Sequence, residues 1–176
     1  MNPKPKCVFV LGPESTGSKF LAKICSHVLG IHQFGHWDGT AWSDKGGHCV
    51  LHRSLPYENP PNFPDVFKWV EEKEPNYELF FVMTTRDITM SQLSRYERWK
   101  KPSDTAAKES ERAREIMVSV LKSDQKSFLW SYETFMFLKR DYLAQLYAFL
   151  DISSDFLPEL IDGNAKKVKS ADASAP

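Results

Sequence analysis

The segment between Lys6 and Val28 constrains this chain more than any other. It opens with a nearly unbroken apolar run, KCVFVL, and passes through GPESTGS into KFLAKICSHVLG. In that last stretch Phe20, Leu21, Ile24, Cys25 and Val28 recur at helical spacing, and Gly30 ends the helix. A short apolar run without polar alternation is what a strand covered on both faces requires, as in a parallel sheet. Strand, glycine-bearing loop and helix in this order set a helix N-terminus over the end of a buried strand. Backbone N–H groups turned inward there, together with the positive end of the helix dipole, suit a phosphate.

The remaining pattern alternates strands with helices. HCVLHRS (48–54), ELFFVMTT (78–85) and KSFLWSY (126–132) predict three further strands. FPDVFKWVEE (63–72) predicts a helix with proline in its first turn, and ITMSQLSRYERW (88–99) and PSDTAAKESERAREIMVSVLKS (102–123) predict two more. FMFLKRDYLAQLYAFL (135–150) predicts one long amphipathic helix, and SDFLPELI (154–161) a terminal helix broken at Pro158. Residues 31–47, rich in Gly, Trp, His and Asp, read as a loop long enough to be functional. The expectation is a three-layer α/β/α fold of P-loop type, with a central, mostly parallel sheet. Its 176 residues suit a single domain over 1–163 with a mobile tail over 164–176.

Lys plus Arg and Asp plus Glu both number 23, so the formal charge is zero and the chain lacks the cation excess of a sequence-independent nucleic-acid binder. Three cysteines, Cys7, Cys25 and Cys49, cannot all pair with one another, and none sits at C-x-x-C spacing, which points to a reducing compartment. The N-terminal apolar run is too short for a signal sequence, and nowhere do 18 apolar residues run together. The expectation is a cytoplasmic protein with no membrane span.

Gly12 to Lys19, GPESTGSK, nearly follows the phosphate-loop pattern G-x-x-x-x-G-K-[ST], with its last two residues, Ser18 and Lys19, in swapped order. The string resembles the phosphate loop of nucleoside kinases such as the nicotinamide-riboside kinases. It also resembles the 5′-phosphosulfate loop of sulfotransferases, which use 3′-phosphoadenosine 5′-phosphosulfate (PAPS) without magnesium. Further along, Arg86 ends a predicted strand and Ser94 follows eight residues later, a spacing similar to the sulfotransferase 3′-phosphate motif. WSYETFMFLKRDYLAQLYAFLDI resembles the family segment in which a strand ends in Tyr-Glu before a helix. Together these segments, spread over residues 6–152, resemble the PAPS-dependent sulfotransferases.

That resemblance implies a donor site made of Pro13, Glu14, Ser15, Thr16, Gly17, Ser18, Lys19, Arg86 and Ser94, with PAPS as donor and no metal. The acceptor would be a small molecule, lipid or carbohydrate. The chain departs from the family where Ser15 replaces the usual lysine and where Ser54, in HRSLP, occupies the position of the family's histidine base. An Arg-Lys-Gly segment is also missing, with only Gly163, Asn164, Lys166 and Lys167 as partial substitutes. Charge stabilisation is therefore expected from Lys19 and Arg53, and proton abstraction from His52, with His36 and Asp38 as alternatives. Phe34, Trp37 and Trp42 are candidates to line an acceptor pocket, and RYERWKK (95–101) to form a basic rim.

Other chemistries have less to stand on. His32 and His36, and His48 and His52, share i,i+4 spacing but make no closed tetrahedral set for zinc. The G-x-S-x-G pattern of a serine hydrolase is missing around Ser15. KESERARE reads as a solvated helix face. Two alternatives stay open: a magnesium-dependent kinase, for which Asp87 is the candidate metal ligand, and a non-catalytic nucleotide-binding protein on the same fold.

Overall fold

The computed structural model describes residues 3–37, 47–58, 60–160 and 162–164. The elements run β1 (Lys6–Pro13), α1 (Ser18–Val28), β2 (Gly35–His36), β3 (Cys49–Leu55), α2 (Val66–Lys73), β4 (Glu78–Thr85), α3 (Ile88–Trp99), α4 (Ser103–Leu121), β5 (Lys126–Ser131), α5 (Tyr132–Leu138) and α6 (Arg140–Phe149). The strands form one five-stranded sheet in the order β2-β3-β1-β4-β5, and every pairing is parallel. β1 lies at the centre, in register with β3 (Val10 beside His52, Gly12 beside Ser54) and with β4 (Val10 beside Val82).

Alternation along the strands divides the interior in two. Val8, Val10, Val50, Phe80 and Val82 face one way and pack with Leu21 and Ile24 of α1, Phe135 of α5, and Leu143 and Leu146 of α6. Cys7, Phe9, Leu11, Leu51, Phe81 and Met83 face the other way, against Val66 and Val70 of α2 and Ala113, Met117 and Val120 of α4. This is the expected three-layer α/β/α arrangement, and it explains the missing polar alternation in β1 and β4. All three cysteines are buried free thiols. Among the described residues, no helix is long and apolar enough to cross a membrane.

Several local expectations are corrected. The presumed loop over 31–47 contributes the two-residue edge strand β2, paired with β3 through His36 and His52. α2 begins only after Asp65, whose carboxylate caps it by accepting from Lys68 N, so Pro64 precedes the helix. The long amphipathic helix is two helices: Lys139 takes φ 48°, ψ −112° between α5 and α6, breaking the hydrogen-bond ladder. Residues 152–160 are not helical; Phe156 instead stacks on His27 and partly covers the α1 side of the core.

One contact fixes where β1 can end. A Cβ on Gly12 would lie 2.2 Å from Thr84 Oγ1 and 2.5 Å from Thr84 O. The second neighbour is backbone of an adjacent strand and cannot swing aside. Gly12→Ala should therefore force β1 and β4 apart and cost about 3 kcal/mol, at the upper end of overpacking costs. Urea unfolding of the wild type and the variant measures it, and a loss below about 0.5 kcal/mol would contradict this packing.

Candidate functional site

β1 ends at Pro13, and the chain turns sharply to start α1 at Ser18. Ser15 (φ 66°) and Gly17 (φ 89°) take left-handed backbone conformations that make the turn possible. Gly17 offers α1 no side-chain cap, so the first N–H groups of the helix are left for another acceptor. The loop is held from three sides. Thr16 Oγ1 lies 2.7 Å from Pro13 O and 2.6 Å from Thr84 Oγ1. Ser91 Oγ donates to Glu14 O (3.1 Å), and Arg86 Nη1 donates to Ser15 O (2.9 Å).

The open helix end faces a cavity of about 530 Å³ at the carboxyl ends of β1, β3 and β4. This is the position where parallel α/β sheets bind ligands. Of the residues read from the sequence, it brings together Ser15, Gly17, Ser18, Lys19, His52, Arg86 and Ser94. Ser54 also lines it. Lys23, one turn beyond Lys19 on α1, was not foreseen, although i,i+4 spacing from Lys19 could have found it. Of the proposed basic rim, Arg98 and Trp99 reach the cavity. The wall thus carries Lys19, Lys23, Arg86 and Arg98, and no carboxylate among the described residues.

Other expected residues sit elsewhere, for local reasons. Glu14 turns away from the cavity: its Oε2 accepts from Arg95 Nε (3.1 Å) and Lys101 Nζ (2.7 Å). Arg95 and Lys101 also hold Glu109, which is buried rather than part of a solvated face. The outer pairs of that helix, Arg112–Glu115 and Arg114–Glu111, are exposed, as expected. Thr16 and Pro13 shape the loop, and neither lines the cavity. Arg53 follows His52 on β3, so alternation sends it to the opposite side of the sheet. There its guanidinium lies over the Tyr57 ring at 4.5 Å. Trp37 is core, packed edge-on against Phe9. Asp38, Trp42, Lys166 and Lys167 lie outside the described residues.

Arg86 is pre-positioned by neighbours distant in sequence. It stacks over the Tyr132 ring (4.9 Å), and its Nε donates to Asn164 Oδ1 at 2.9 Å. Gly163 N donates to Tyr132 Oη (2.8 Å), and Glu133 Oε1 accepts from Asp87 N (3.0 Å). Tyr132, just beyond β5, and the Gly163–Asn164 turn therefore converge on one guanidinium, while Glu133 holds the neighbouring Asp87 N.

Among the described residues, two polar atoms at the site are buried without a hydrogen-bond partner: Ser15 Oγ and His52 Nδ1. Buried groups left in this condition call for an explanation, and a ligand is one. His52 Nε2 lies 3.0 Å from Ser18 Oγ. Burial first, then the charges of His36, Arg53 and Lys19, pull the His52 pKa down from 6.5 to about 3, so the ring is neutral near pH 7. Among the described residues, no group of three His, Cys, Asp or Glu side chains is placed to hold a metal. The chain matches no protein-family model and no curated protein sequence.

His52 ties stability to pH. Its folded pKa lies below its unfolded one, so the unfolded chain binds the proton first as pH falls. The stability that depends on this difference is complete above about pH 6.5 and is lost progressively toward pH 3. Between pH 7 and 4.5 the wild type should lose about 2 to 3 kcal/mol more than His52→Gln. Urea unfolding at both pH values measures the difference, and parallel losses in the two proteins would contradict a buried neutral His52.

Proposed function

We propose that this cavity binds PAPS and that the protein transfers its sulfuryl group to a hydroxyl or amine of a small-molecule, lipid or carbohydrate acceptor. The observation that carries the reading is the charge of the wall: four cations and an open helix N-terminus, with no carboxylate among the described residues. Such a wall favours a ligand with several negative charges. Its cations fall into two groups. Lys19 and Lys23 stand on α1 beside the phosphate loop, whereas Arg86 and Arg98, with Ser94, come from the β4–α3 side. Two groups of donors fit a nucleotide charged at both its 5′ and 3′ positions, and the cavity volume lies in the range of small-ligand sites.

In the transfer, the acceptor oxygen or nitrogen bonds to sulfur while the bond from sulfur to the bridging phosphate oxygen breaks. The electron pair stays on that oxygen, giving adenosine 3′,5′-bisphosphate. The acceptor's proton passes to a base. Lys19 and the N–H groups at the start of α1 would stabilise the charge growing on the leaving phosphate. Burial holds the His52 pKa at about 3, which makes the ring a weak base in the free protein; a bound anion beside it would favour its charged form and strengthen it as a proton acceptor. Arg53, across the sheet, would affect this charge balance only at a distance.

The kinase alternative requires an acidic side chain to hold magnesium. Its candidate, Asp87, instead caps α3 by accepting from Met90 N (2.9 Å), and does not line the cavity. The non-catalytic alternative has one observation in its favour: Ser15, where sulfotransferases carry lysine, offers a hydroxyl and no charge.

Arg86→Ala should weaken binding of adenosine 3′,5′-bisphosphate roughly 10- to 150-fold, the value of a charge-assisted contact of about 1.5–3 kcal/mol. AMP should lose less than about threefold. Calorimetric titration of both ligands tests this, and equal losses would mean that Arg86 does not read the 3′-phosphate. For the chemistry, PAPS turnover with a panel of phenolic, carbohydrate and lipid alcohols is the assay. Tight bisphosphate binding with no turnover on any acceptor would favour the non-catalytic reading.

A further inference from the structure

A second cavity, of about 620 Å³, adjoins the first along α1 and shares Lys19 and Lys23 with it. Its wall continues through Ser26, Gln33, Phe34 and His36 and contains no carboxylate among the described residues. Lys19 and Lys23 are exposed and have no carboxylate partner among the described residues, so both are available to a ligand from either side. Ser26 Oγ is buried in this wall with no hydrogen-bond partner among the described residues. The two cavities meet at a pair of histidines. His52 lines the first and His36 the second, with ring centroids 6.1 Å apart. His36 Nδ1 lies 3.3 Å from the His52 carbonyl oxygen, which fixes the ring and leaves Nε2 for other contacts. Phe34 stands edge-on to both imidazoles, at 5.9 and 5.4 Å, and supplies an apolar surface between them.

We infer that this second cavity is the acceptor subsite, and that it takes an acceptor bearing its own anionic group: a carboxylate, a sulfate ester or a phosphate ester. The name acceptor rests on the donor reading above; the preference for an anion rests only on the wall of the second cavity. A neutral alcohol would make no ion pair with Lys19 and Lys23 on this side. An anionic acceptor pairs with them, while a hydroxyl elsewhere on the same molecule lies against Phe34 near the His36–His52 pair.

Calorimetric titrations with glucose, glucuronate, glucose 6-sulfate and glucose 6-phosphate at constant ionic strength test this. They are run on the free protein and on protein saturated with adenosine 3′,5′-bisphosphate. At least one anionic sugar should bind tenfold or more tighter than glucose, and the tightest of the three identifies the anionic group. Gln33→Glu, which adds a negative charge to the second cavity alone, should weaken that binding at least fivefold and change bisphosphate affinity less than twofold. Anions no better than glucose, anion binding indifferent to Gln33→Glu, or complete displacement of the sugar by bisphosphate would each overturn the inference. Sugar binding that responds to Gln33→Glu in a protein that does not bind bisphosphate would overturn the donor reading, and with it the name acceptor, but not the anion preference.

Discussion

Arg95 has no exposed surface, and its contact with Glu14 decides the electrostatic character of the whole site. Glu14 sits in the β1–α1 loop, where a free carboxylate would cancel the positive end of α1 and repel an anion. Arg95 and Lys101 draw that carboxylate to the other side of the loop, and Glu109 completes a cluster of two cations and two anions. Buried charges of this kind contribute little net stability when paired, yet losing one partner leaves the rest uncompensated. The role of the cluster here is spatial. It removes the one acidic side chain of the loop from the cavity, and with Ser91 it fastens α3 to the loop, so that Ser94 and Arg98 on the same helix stand at the cavity wall.

The same logic extends to the sheet. Gly12 lets β1 approach Thr84 closely enough for the chain to turn at once into the loop, and Thr16 then bonds to the same threonine. β4 therefore both stops β1 and supports the turn that follows. One residue beyond its end, Arg86 is held by Ser15 O, Tyr132 and Asn164. Loop, arginine and helix end are one packed unit, which makes the cavity's donors rigid before any ligand arrives. Preorganisation of that kind reduces the ordering cost of binding.

The central strands, the parallel topology and α1 were legible because they rest on local pattern: β1 and β4 are unbroken apolar runs, and α1 repeats its apolar positions every three to four residues. Arg86 and Ser94 were legible as a spacing, and both line the cavity. The face of Arg53 was legible in principle, since neighbours in a strand point to opposite sides and His52 and Arg53 cannot share one cavity. The placement of Glu14 was not, because its partners lie 81 and 87 residues away in the chain and nothing local marks them. The break at Lys139 was hidden for a related reason. Apolar periodicity continues across it, and only the left-handed φ of one residue interrupts the ladder.

The central proposal is that this cation-lined cavity, which holds no carboxylate among the described residues, binds a doubly phosphorylated nucleotide. Thermal melting of the wild type with adenosine 3′,5′-bisphosphate, against ATP plus magnesium, tests it most directly. At 100 times its Kd the bisphosphate should stabilise the protein by roughly 2.7 kcal/mol, and ATP with magnesium should do markedly less. Stabilisation by ATP that requires magnesium, with none from the bisphosphate, would contradict the account.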